Sequence, residues 1–228
     1  MWALIPMKPV SLAKGRLGAL LHVTERRLLA IAMLQDVLAK AVDCAAFERV
    51  AVVTADPEVA RLLRSERVGI IDEHYPRGLS EAVEYGSAHA MSAGARSVAV
   101  LSADIPTLCG RELSELIGNE TQAVTIATDR HGRGSNALVL TPPDVIRPRY
   151  GTDSLRAHRA AAACHGISVR TLRLRGLALD IDEPDDVAEF LTGRTHCRSR
   201  ILLESWHIAD RLRSLRPTYE RSANGGLP

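Results

Sequence analysis

Residues 49–65 read RVAVVTADPEVARLLRS, in which a strand pattern gives way directly to a helix pattern. A short run rich in valine is typical of a buried strand, and Pro57 suits the first position of a helix, where an N–H would have no partner. The same alternation recurs on both sides of this unit, from WALIP (2–6) to EPDDVAEFL (183–191). Repeated strand–helix units predict an α/β fold, with a mostly parallel sheet covered by helices on both faces.

The other predicted strands are VGII (68–71), SVAVLS (97–102), AVTIAT (123–128), NALVL (136–140), SVRTLRL (168–174) and LALDI (177–181). Helix patterns follow Thr24 and Asp153 or Ser154, which are candidate N-caps. We predict one domain over residues 1–193 and an extension over residues 194–228. The extension contains an amphipathic helix around Trp206 and a polar end, TYERSANGGLP, that we expect to be disordered.

Composition excludes several classes of protein. A net charge of +2 over 228 residues gives no reason to expect a nucleic acid or a membrane as partner. The N-terminal MWALIPMKPV does not have the pattern of a signal peptide, and no stretch reaches the roughly 18 apolar residues of a membrane span. The four cysteines have no CxxC spacing, which argues against a zinc site and a disulfide framework. We therefore expect reduced thiols and a cytoplasmic location.

Carboxylates concentrate in LALDIDEPDD (177–186), where five lie within seven positions. In a strand Asp180 and Asp182 share a face, and Asp104 follows a second predicted strand, SVAVLS. Three carboxylates from two strand ends form the oxygen-rich site that Mg²⁺ favours. The other three carboxylates of the segment suit the positive N-terminal end of the helix that follows.

Cations and glycines mark the other loops. Lys8, Lys14 and Arg16 follow the first strand and suit an anion such as a triphosphate, although a solvated basic loop is the alternative. The loop DRHGRGS (129–135) lets backbone N–H groups approach an anion, or is merely a flexible hairpin. Ser154 at a helix N-terminus can seat a phosphate or carboxylate, or act as a cap alone. The chain has no GxxxxGK[ST], GxGxxG or GxSxG motif.

These pieces together resemble a known family. The residues that carry the resemblance are Lys8, AKGRL (13–17), GLSEAVEYG (78–86), ADIP (103–106), GRGSNAL (132–138), YGTDSLRAH (150–158) and LALDIDEPDDV (177–187). In this order they resemble the 2-phospho-L-lactate guanylyltransferases of coenzyme F(420) biosynthesis, over residues 1 to about 192. The resemblance implies a nucleotidyltransferase fold. It also implies transfer of GMP from GTP to a small phosphorylated carboxylic acid, namely 2-phospho-L-lactate, phosphoenolpyruvate or 3-phospho-D-glycerate, with release of pyrophosphate.

The resemblance also implies roles for residues at matching positions. The metal ligands, for two Mg²⁺ ions, are Asp104, Asp180 and Asp182; the nucleotide-binding residues are Lys8, Lys14, Arg16 and Ser80; the acceptor-binding residues are Ser135, Gly151 and Ser154. Lys14 and Arg16 are in addition expected to be catalytic, by stabilising the triphosphate and the departing pyrophosphate. The oligomeric state is left open, with a homodimer as one alternative.

The chain departs from the family pattern at two places in the acceptor region and at one nucleotide-binding position. Ser135 replaces the usual threonine beside Arg133, and Tyr150 replaces phenylalanine, while Ser80 replaces an asparagine. We expect from the first of these that 3-phospho-D-glycerate is accepted at least comparably with the other two acids. Three alternative interpretations remain: a nucleotidyltransferase that acts on a sugar phosphate or molybdopterin, a haloacid-dehalogenase phosphatase that uses LALDIDEP (177–184), and a nucleotide-binding regulatory module.

Overall fold

The computed structural model describes residues 1–63, 67–76, 78–118 and 122–223, with side chains as far as residue 215. The strands are β1 (Trp2–Pro6), β2 (Arg49–Thr54), β3 (Gly69–Asp72), β4 (Val98–Leu101), β5 (Val124–Thr128), β6 (Ser135–Leu140) and β7 (Val169–Leu172). The helices are α1 (Val23–Val42), α2 (Pro57–Leu62), α3 (Leu79–Ser92), α4 (Gly110–Ile117), α5 (Ser154–Ala163), α6 (Arg175–Ala178), α7 (Pro184–Thr192), α8 (Arg198–Ser205) and α9 (Ile208–Ala223).

The strands form one sheet in the order β3-β2-β1-β4-β6-β5-β7. Strand β6 is antiparallel to both of its neighbours, and the other pairs are parallel. The predicted mostly parallel sheet is therefore confirmed. The chain extends from β1 through β2 to β3 on one side and then returns to place β4 on the other side of β1. At such a switch point the loops after the two central strands separate and leave a crevice for a ligand.

The reversed direction of β6 decides what else reaches that crevice. Because β6 runs against its neighbours, its first residues lie at the edge of the sheet where the parallel strands end. Ser102, just after β4, donates its N–H to the carbonyl oxygen of Asn136 at 2.9 Å. The hairpin at residues 129–134 thus delivers Ser135 and Asn136 to the same edge as the carboxyl end of β4.

Both faces of the sheet are buried, as predicted. Along β1, Leu4 packs into a cluster with Val83 of α3, and Ile5 packs into the opposite cluster with Leu34 of α1. All four side chains are at most 1% exposed. Since successive residues of a strand point to opposite faces, a continuous apolar run such as WALIP fits a strand covered by helices on both sides.

A third apolar cluster lies beneath the crevice. It joins Leu17 in the loop after β1, Ile181 in the acidic segment and Phe190 of α7 to Leu203 of α8 and Ile208 of α9. Each of these side chains is at most 1% exposed, and burying one such side chain contributes roughly 1.5–3 kcal/mol. The C-terminal helices therefore help to hold two site-bearing segments together.

Two local predictions are wrong. LALDI is not a strand: α6 ends at Ala178, and residues 179–183 are extended without pairing in the sheet. Leu177, Leu179 and Ile181 stand at alternate positions, as in a strand, but whether a neighbouring strand pairs with the segment depends on tertiary contacts. Thr24 is not the N-cap of α1, because the helix begins at Val23 and the backbone N–H of His22 is bound by the Glu25 carboxylate at 2.9 Å.

The C-terminal extension is also more ordered than predicted. Two helices replace the single amphipathic one, with the break at Trp206 and His207. Helix α9 continues to Ala223, so disorder does not begin at Thr218, and residues 224–228 lie outside the described residues, as do residues 64 and 65 of the predicted second helix. The domain boundary at residue 193 stays a prediction. None of the helices in the described ranges combines the length and the hydropathy that a membrane span requires.

Candidate active site

A cavity of about 390 Å³ opens at the carboxyl ends of β1 and β4. Its wall contains eight of the ten residues predicted for the site, namely Lys8, Lys14, Asp104, Ser135, Gly151, Ser154, Asp180 and Asp182. The predicted basic loop (Lys8 and Lys14), the three carboxylates and the predicted anion seat (Ser135, Gly151 and Ser154) thus all lie in the wall of one cavity. Arg16 and Ser80 are not in its wall.

Lys14 connects the loop after β1 to the carboxylates. Its Nζ donates to Asp104 Oδ2 at 2.5 Å and to Asp182 Oδ1 at 2.8 Å, and its side chain is only 7% exposed. Burial opposes the charge of Lys14, but the two carboxylates outweigh it and raise the lysine pKa above its usual value. The backbone of Lys14 is left-handed, with φ 54° and ψ 39°, which is uncommon for residues other than glycine, asparagine and aspartate. Such a conformation at a charged, buried position is typical of functional loops.

Asp182 is the ionised partner in this cluster. Burial disfavours its charge, but the Lys14 ammonium outweighs the burial, with Arg16 and Lys8 adding to it, and the pKa of Asp182 is lowered. Its backbone N–H, like that of Glu183, donates to one oxygen of Asp186, at 2.9 and 2.7 Å. The carboxylates at the start of α7 therefore serve the helix terminus, as predicted, and fix the backbone that carries Asp182.

Asp180 has a different environment. Asn136 Nδ2 donates to Asp180 Oδ1 at 3.1 Å and to the carbonyl of Leu177 at 3.0 Å. Burial and the negative charge of Asp104 raise the pKa of Asp180 to about 6. The cluster thus holds more negative charge than Lys14 alone offsets.

The two carboxylate oxygens of Asp104 differ in their contacts. Its Oδ2 binds Lys14, whereas its Oδ1 is buried and has no hydrogen-bond partner in the described part of the chain. A buried carboxylate oxygen without a partner is costly. As the side chains stand, no three carboxylate, histidine or cysteine groups of the described ranges are placed to hold a metal together, and the Lys14 ammonium lies between two of the aspartates.

Another part of the cavity wall contains Gly151 and Ser154, where the sequence predicts that an anion binds. Ser154 is the first residue of α5 and is nearly buried, and Gly151 just before it has φ 142°, which favours glycine. The Leu155 N–H donates to the carbonyl of Arg133 at 2.9 Å and ties the start of α5 to the hairpin that carries Ser135. Free N–H groups at a helix N-terminus are suited to bind a phosphate or a carboxylate.

Two predicted residues have other contacts. Ser80 Oγ accepts from the Tyr150 N–H at 2.8 Å, so its hydroxyl supports the loop before α5. The Arg16 side chain is 72% exposed at the rim, with Nη1 3.3 Å from Glu183 Oε1. Their nucleotide-binding roles stay predictions. The Arg133 side chain is exposed and is not part of the cavity wall.

Sequence reasoning missed Asn136 and His158. Asn136 is the second residue of β6, a buried polar residue directly before the apolar run ALVL (137–140), and that contrast was a usable signal. His158 lies four residues after Ser154, so both side chains project from the same face of α5, and His158 Nδ1 is 3.0 Å from Ser135 Oγ. The i, i+4 spacing of Ser154 and His158 could have placed the histidine behind the anion seat.

The family of the chain follows from comparison with known sequences. A family profile described as "Guanylyl transferase CofC like" matches residues 1–213. The chain belongs to this family. The match to the CofC-like family continues beyond residue 192, through α8 and into α9. Guanylyl transfer is the activity of the family, which confirms the resemblance seen in the sequence motifs.

Individual relatives of this CofC-like chain carry a more specific description. It is 40% identical over 189 residues to a phosphoenolpyruvate guanylyltransferase of Conexibacter woesei, covering 82% of this chain and 85% of the relative. It is 37% identical to a phosphoenolpyruvate guanylyltransferase of Sphaerobacter thermophilus, covering 82% and 90%.

Solved structures similar to the CofC-like chain confirm the fold. One is a protein from Desulfovibrio desulfuricans provisionally described as a nucleotide-diphospho-sugar transferase, with a TM-score of 0.72, 16% identity and coverage of 93% and 96% of the two chains. Another is a 4-diphosphocytidyl-2C-methyl-D-erythritol synthase, with a TM-score of 0.58, 17% identity and coverage of 88% and 97%. At such low identity these structures establish the nucleotidyltransferase fold alone.

Proposed function

We propose that this CofC-like guanylyltransferase transfers GMP from GTP to a phosphorylated three-carbon carboxylic acid and releases pyrophosphate. The observation that carries the proposal is the single cavity that joins the cluster of Lys14, Asp104 and Asp182 to the anion seat of Ser135 and Ser154. A reaction between two polyanions needs both to be held in line and their repulsion offset, which such a cavity can do.

In the proposed reaction, one bond to the α-phosphorus of GTP forms and another bond to it breaks. A phosphate oxygen of the acceptor forms the new bond, and the bond to the oxygen that bridges to the β-phosphorus breaks. Pyrophosphate leaves with that electron pair. The attacking phosphate is largely ionised at neutral pH, so no side chain has to remove a proton. His158 fits this chemistry, because it is buried with both ring nitrogens hydrogen-bonded.

The residues present fit Mg²⁺ by charge and donor type. Asp104, Asp180 and Asp182 would hold it, as two ions, and the orphaned Asp104 Oδ1 is an oxygen that a cation would satisfy. When bound, Mg²⁺ offsets the negative charge of the reacting phosphates. Lys14, which lies at two of these carboxylates, would supply positive charge to the triphosphate. Lys8 and Arg16 supply further positive charge at the same side of the cavity.

For the acceptor we propose phosphoenolpyruvate as the preferred acid. Two relatives at 40% and 37% identity are named for it. The expectation that 3-phospho-D-glycerate is accepted at least comparably depended partly on Arg133, whose side chain is not in the cavity wall. Ser135 remains, and the space of one missing methyl group shifts selectivity by only about 1–3 kcal/mol. Comparable use of 3-phospho-D-glycerate therefore stays a prediction with one supporting residue.

A competition experiment tests both the reaction and the acceptor. The protein is incubated with GTP, MgCl₂ and equal concentrations of the three acids, and the guanylylated products are resolved by mass spectrometry, with pyrophosphate release measured in parallel. Asp182→Asn serves as the control for metal-dependent turnover. A second arm supplies CTP or ATP, and a sugar 1-phosphate as acceptor. If the protein turns over the substrates of the second arm but consumes none of the three acids in the first, the proposal is overturned in favour of another nucleotidyltransferase activity.

A further inference from the structure

His158 occupies a fully buried position behind the anion seat. Its Nδ1 lies 3.0 Å from Ser135 Oγ, and its Nε2 lies 2.9 Å from the backbone nitrogen of Arg149. The ring of Tyr150 packs against it edge to face, with the centroids 4.9 Å apart. One histidine therefore contacts both the hairpin that carries Ser135 and the loop that leads to Gly151.

The partners of the ring determine its tautomer. A backbone N–H can only donate, so Nε2 must carry a lone pair and accept from Arg149. A neutral imidazole has its single proton on the other nitrogen, which places it on Nδ1. Nδ1–H then donates, and Ser135 Oγ accepts. In a doubly protonated ring, Nε2 would carry a hydrogen that faces the N–H of Arg149. Two donors cannot form a hydrogen bond, so the site does not accommodate the imidazolium form of His158.

The direction of this hydrogen bond fixes the serine. Since Ser135 Oγ accepts from His158, its own hydroxyl hydrogen cannot point at the ring and is available to the cavity. We propose that His158 is a positioning residue for the acceptor acid: it orients the Ser135 hydroxyl as a hydrogen-bond donor and fixes the backbone that leads to Gly151. The claim that the Ser135 hydroxyl donates to the acceptor acid rests on the proposed function. The tautomer of His158 does not depend on that function.

An oriented donor has a consequence for selectivity. A hydroxyl that is free to rotate can donate to one ligand and accept from another, but the Ser135 hydroxyl in this arrangement presents its hydrogen. It therefore favours a ligand with an ionised oxygen at this position, such as a carboxylate or a phosphate, over an isosteric amide nitrogen or a protonated amine. His158 thus selects for the charge of the acceptor through a residue that it touches, without touching the acceptor itself.

The tautomer can be measured on the unaltered protein. Nitrogen-15 NMR of histidine-labelled full-length protein distinguishes protonated from unprotonated ring nitrogens, and His158→Asn assigns the signal. We expect protonated Nδ1 and unprotonated Nε2, unchanged between about pH 5.5 and 7.5. A proton on Nε2, or titration of this ring near the usual histidine pKa, would overturn the proposal whether or not any substrate is known.

Kinetic variants test the link to Ser135. In His158→Gln the side-chain oxygen can still accept from the Arg149 N–H, but the donor to Ser135 is lost; in His158→Asn the amide nitrogen can replace Nδ1. We expect His158→Gln to raise the acceptor KM about tenfold while the GTP KM stays within about twofold, because a hydrogen bond to a charged group is weakened. His158→Asn should restore part of the acceptor affinity. The exposed His165→Asn, at the end of the same helical segment, is the matched control.

The double variant decides whether His158 acts through the serine. Ser135→Ala should raise the acceptor KM as much as His158→Gln does, and combining the two should add no more than about a further twofold. Equal increases in both KM values, or full additivity, would show a merely structural role and refute the inference while the proposed function stands. Absence of turnover by the unaltered protein with all three acids would refute the proposed function and leave the NMR test to judge the tautomer. If the variants do not fold, the NMR result decides alone.

Discussion

Replacing Lys14 with methionine removes the cation between two aspartates and keeps the length of the side chain. The structure gives Lys14 Nζ two charge-assisted hydrogen bonds, at 2.5 Å to Asp104 and 2.8 Å to Asp182. Such bonds contribute roughly 1.5–3 kcal/mol each. The Asp182 side chain is 43% exposed and solvent screens its charge, so the lower values apply. Lys14→Met should then lower the metal-free stability by about 3 kcal/mol.

Magnesium should reduce that difference. If Asp104 and Asp182 hold Mg²⁺, its binding to the unaltered protein would compete with Lys14, whereas Lys14→Met leaves these two carboxylates unpaired. A ligand at 100 times its Kd stabilises a protein by roughly 2.7 kcal/mol, so saturating Mg²⁺ should recover most of the loss in the variant and add less to the unaltered protein. Turnover should still fall by about 10²–10³, because the triphosphate loses a cation.

Thermal melting with EDTA and with MgCl₂ measures both effects. A loss of about 3 kcal/mol corresponds to a melting temperature lower by about 6–12 °C for a protein of this size. Lys40→Met, at an exposed position in the last turn of α1, is the matched control. An unchanged metal-free melting temperature, or the same Mg²⁺-dependent shift in variant and unaltered protein, would refute the inference that Lys14 and Mg²⁺ compete for the same carboxylates.

Three further predictions concern other parts of the molecule. Asp182→Asn should lower turnover by about 10²–10³ at saturating Mg²⁺, and near-normal rates at low Mg²⁺ would exclude it as an essential ligand. Burial lowers the pKa of His158 to about 4, so the unfolded chain binds a proton that the folded protein does not between about pH 6.5 and 4. The free energy of unfolding should therefore fall by about 3 kcal/mol as the pH decreases through that range. Urea unfolding measures this fall, and the part of it that is due to His158 should be absent from His158→Gln. Leu203→Ala should cost about 2–5 kcal/mol in chemical denaturation, and a loss under 1 kcal/mol would show that α8 is not part of the core.

The sheet was predictable because its strands are unambiguous. WALIP and RVAVVT are continuous apolar runs followed by clear helix signals, and the structure buries them on both faces. The direction of β6 follows from the hairpin alternative for DRHGRGS (129–135), because such a loop is too short for the crossover that parallel strands need. LALDI failed because Leu177, Leu179 and Ile181 are buried at the alternate positions expected of a strand, but that pattern does not show whether a neighbouring strand pairs with the segment.

The site was predictable where charge is concentrated and unpredictable where it depends on contacts. Asp104, Asp180 and Asp182 could be named because carboxylates at strand ends are conspicuous, even though the last two do not lie in a strand. The pairing of Lys14 with Asp104 and Asp182 could not be predicted, because it depends on the tertiary fold. His158 gave no signal by composition, since a single histidine on a helix is commonly a packed residue.

The contacts of Lys14 also bear on how the protein is made. Lys14 is 168 residues from Asp182 and 90 residues from Asp104, and Asp36 reaches 163 residues along the chain to Ser199. Contacts between distant parts of a chain form late in folding, after loop closure has been achieved. A nascent chain emerging from the ribosome can form β1 and β2 early, but it cannot pair Lys14 with Asp182 until α7 begins to appear. The cluster around Lys14 is thus completed only after residue 182 has been synthesised, and a chain released before that point carries the basic loop without Asp182.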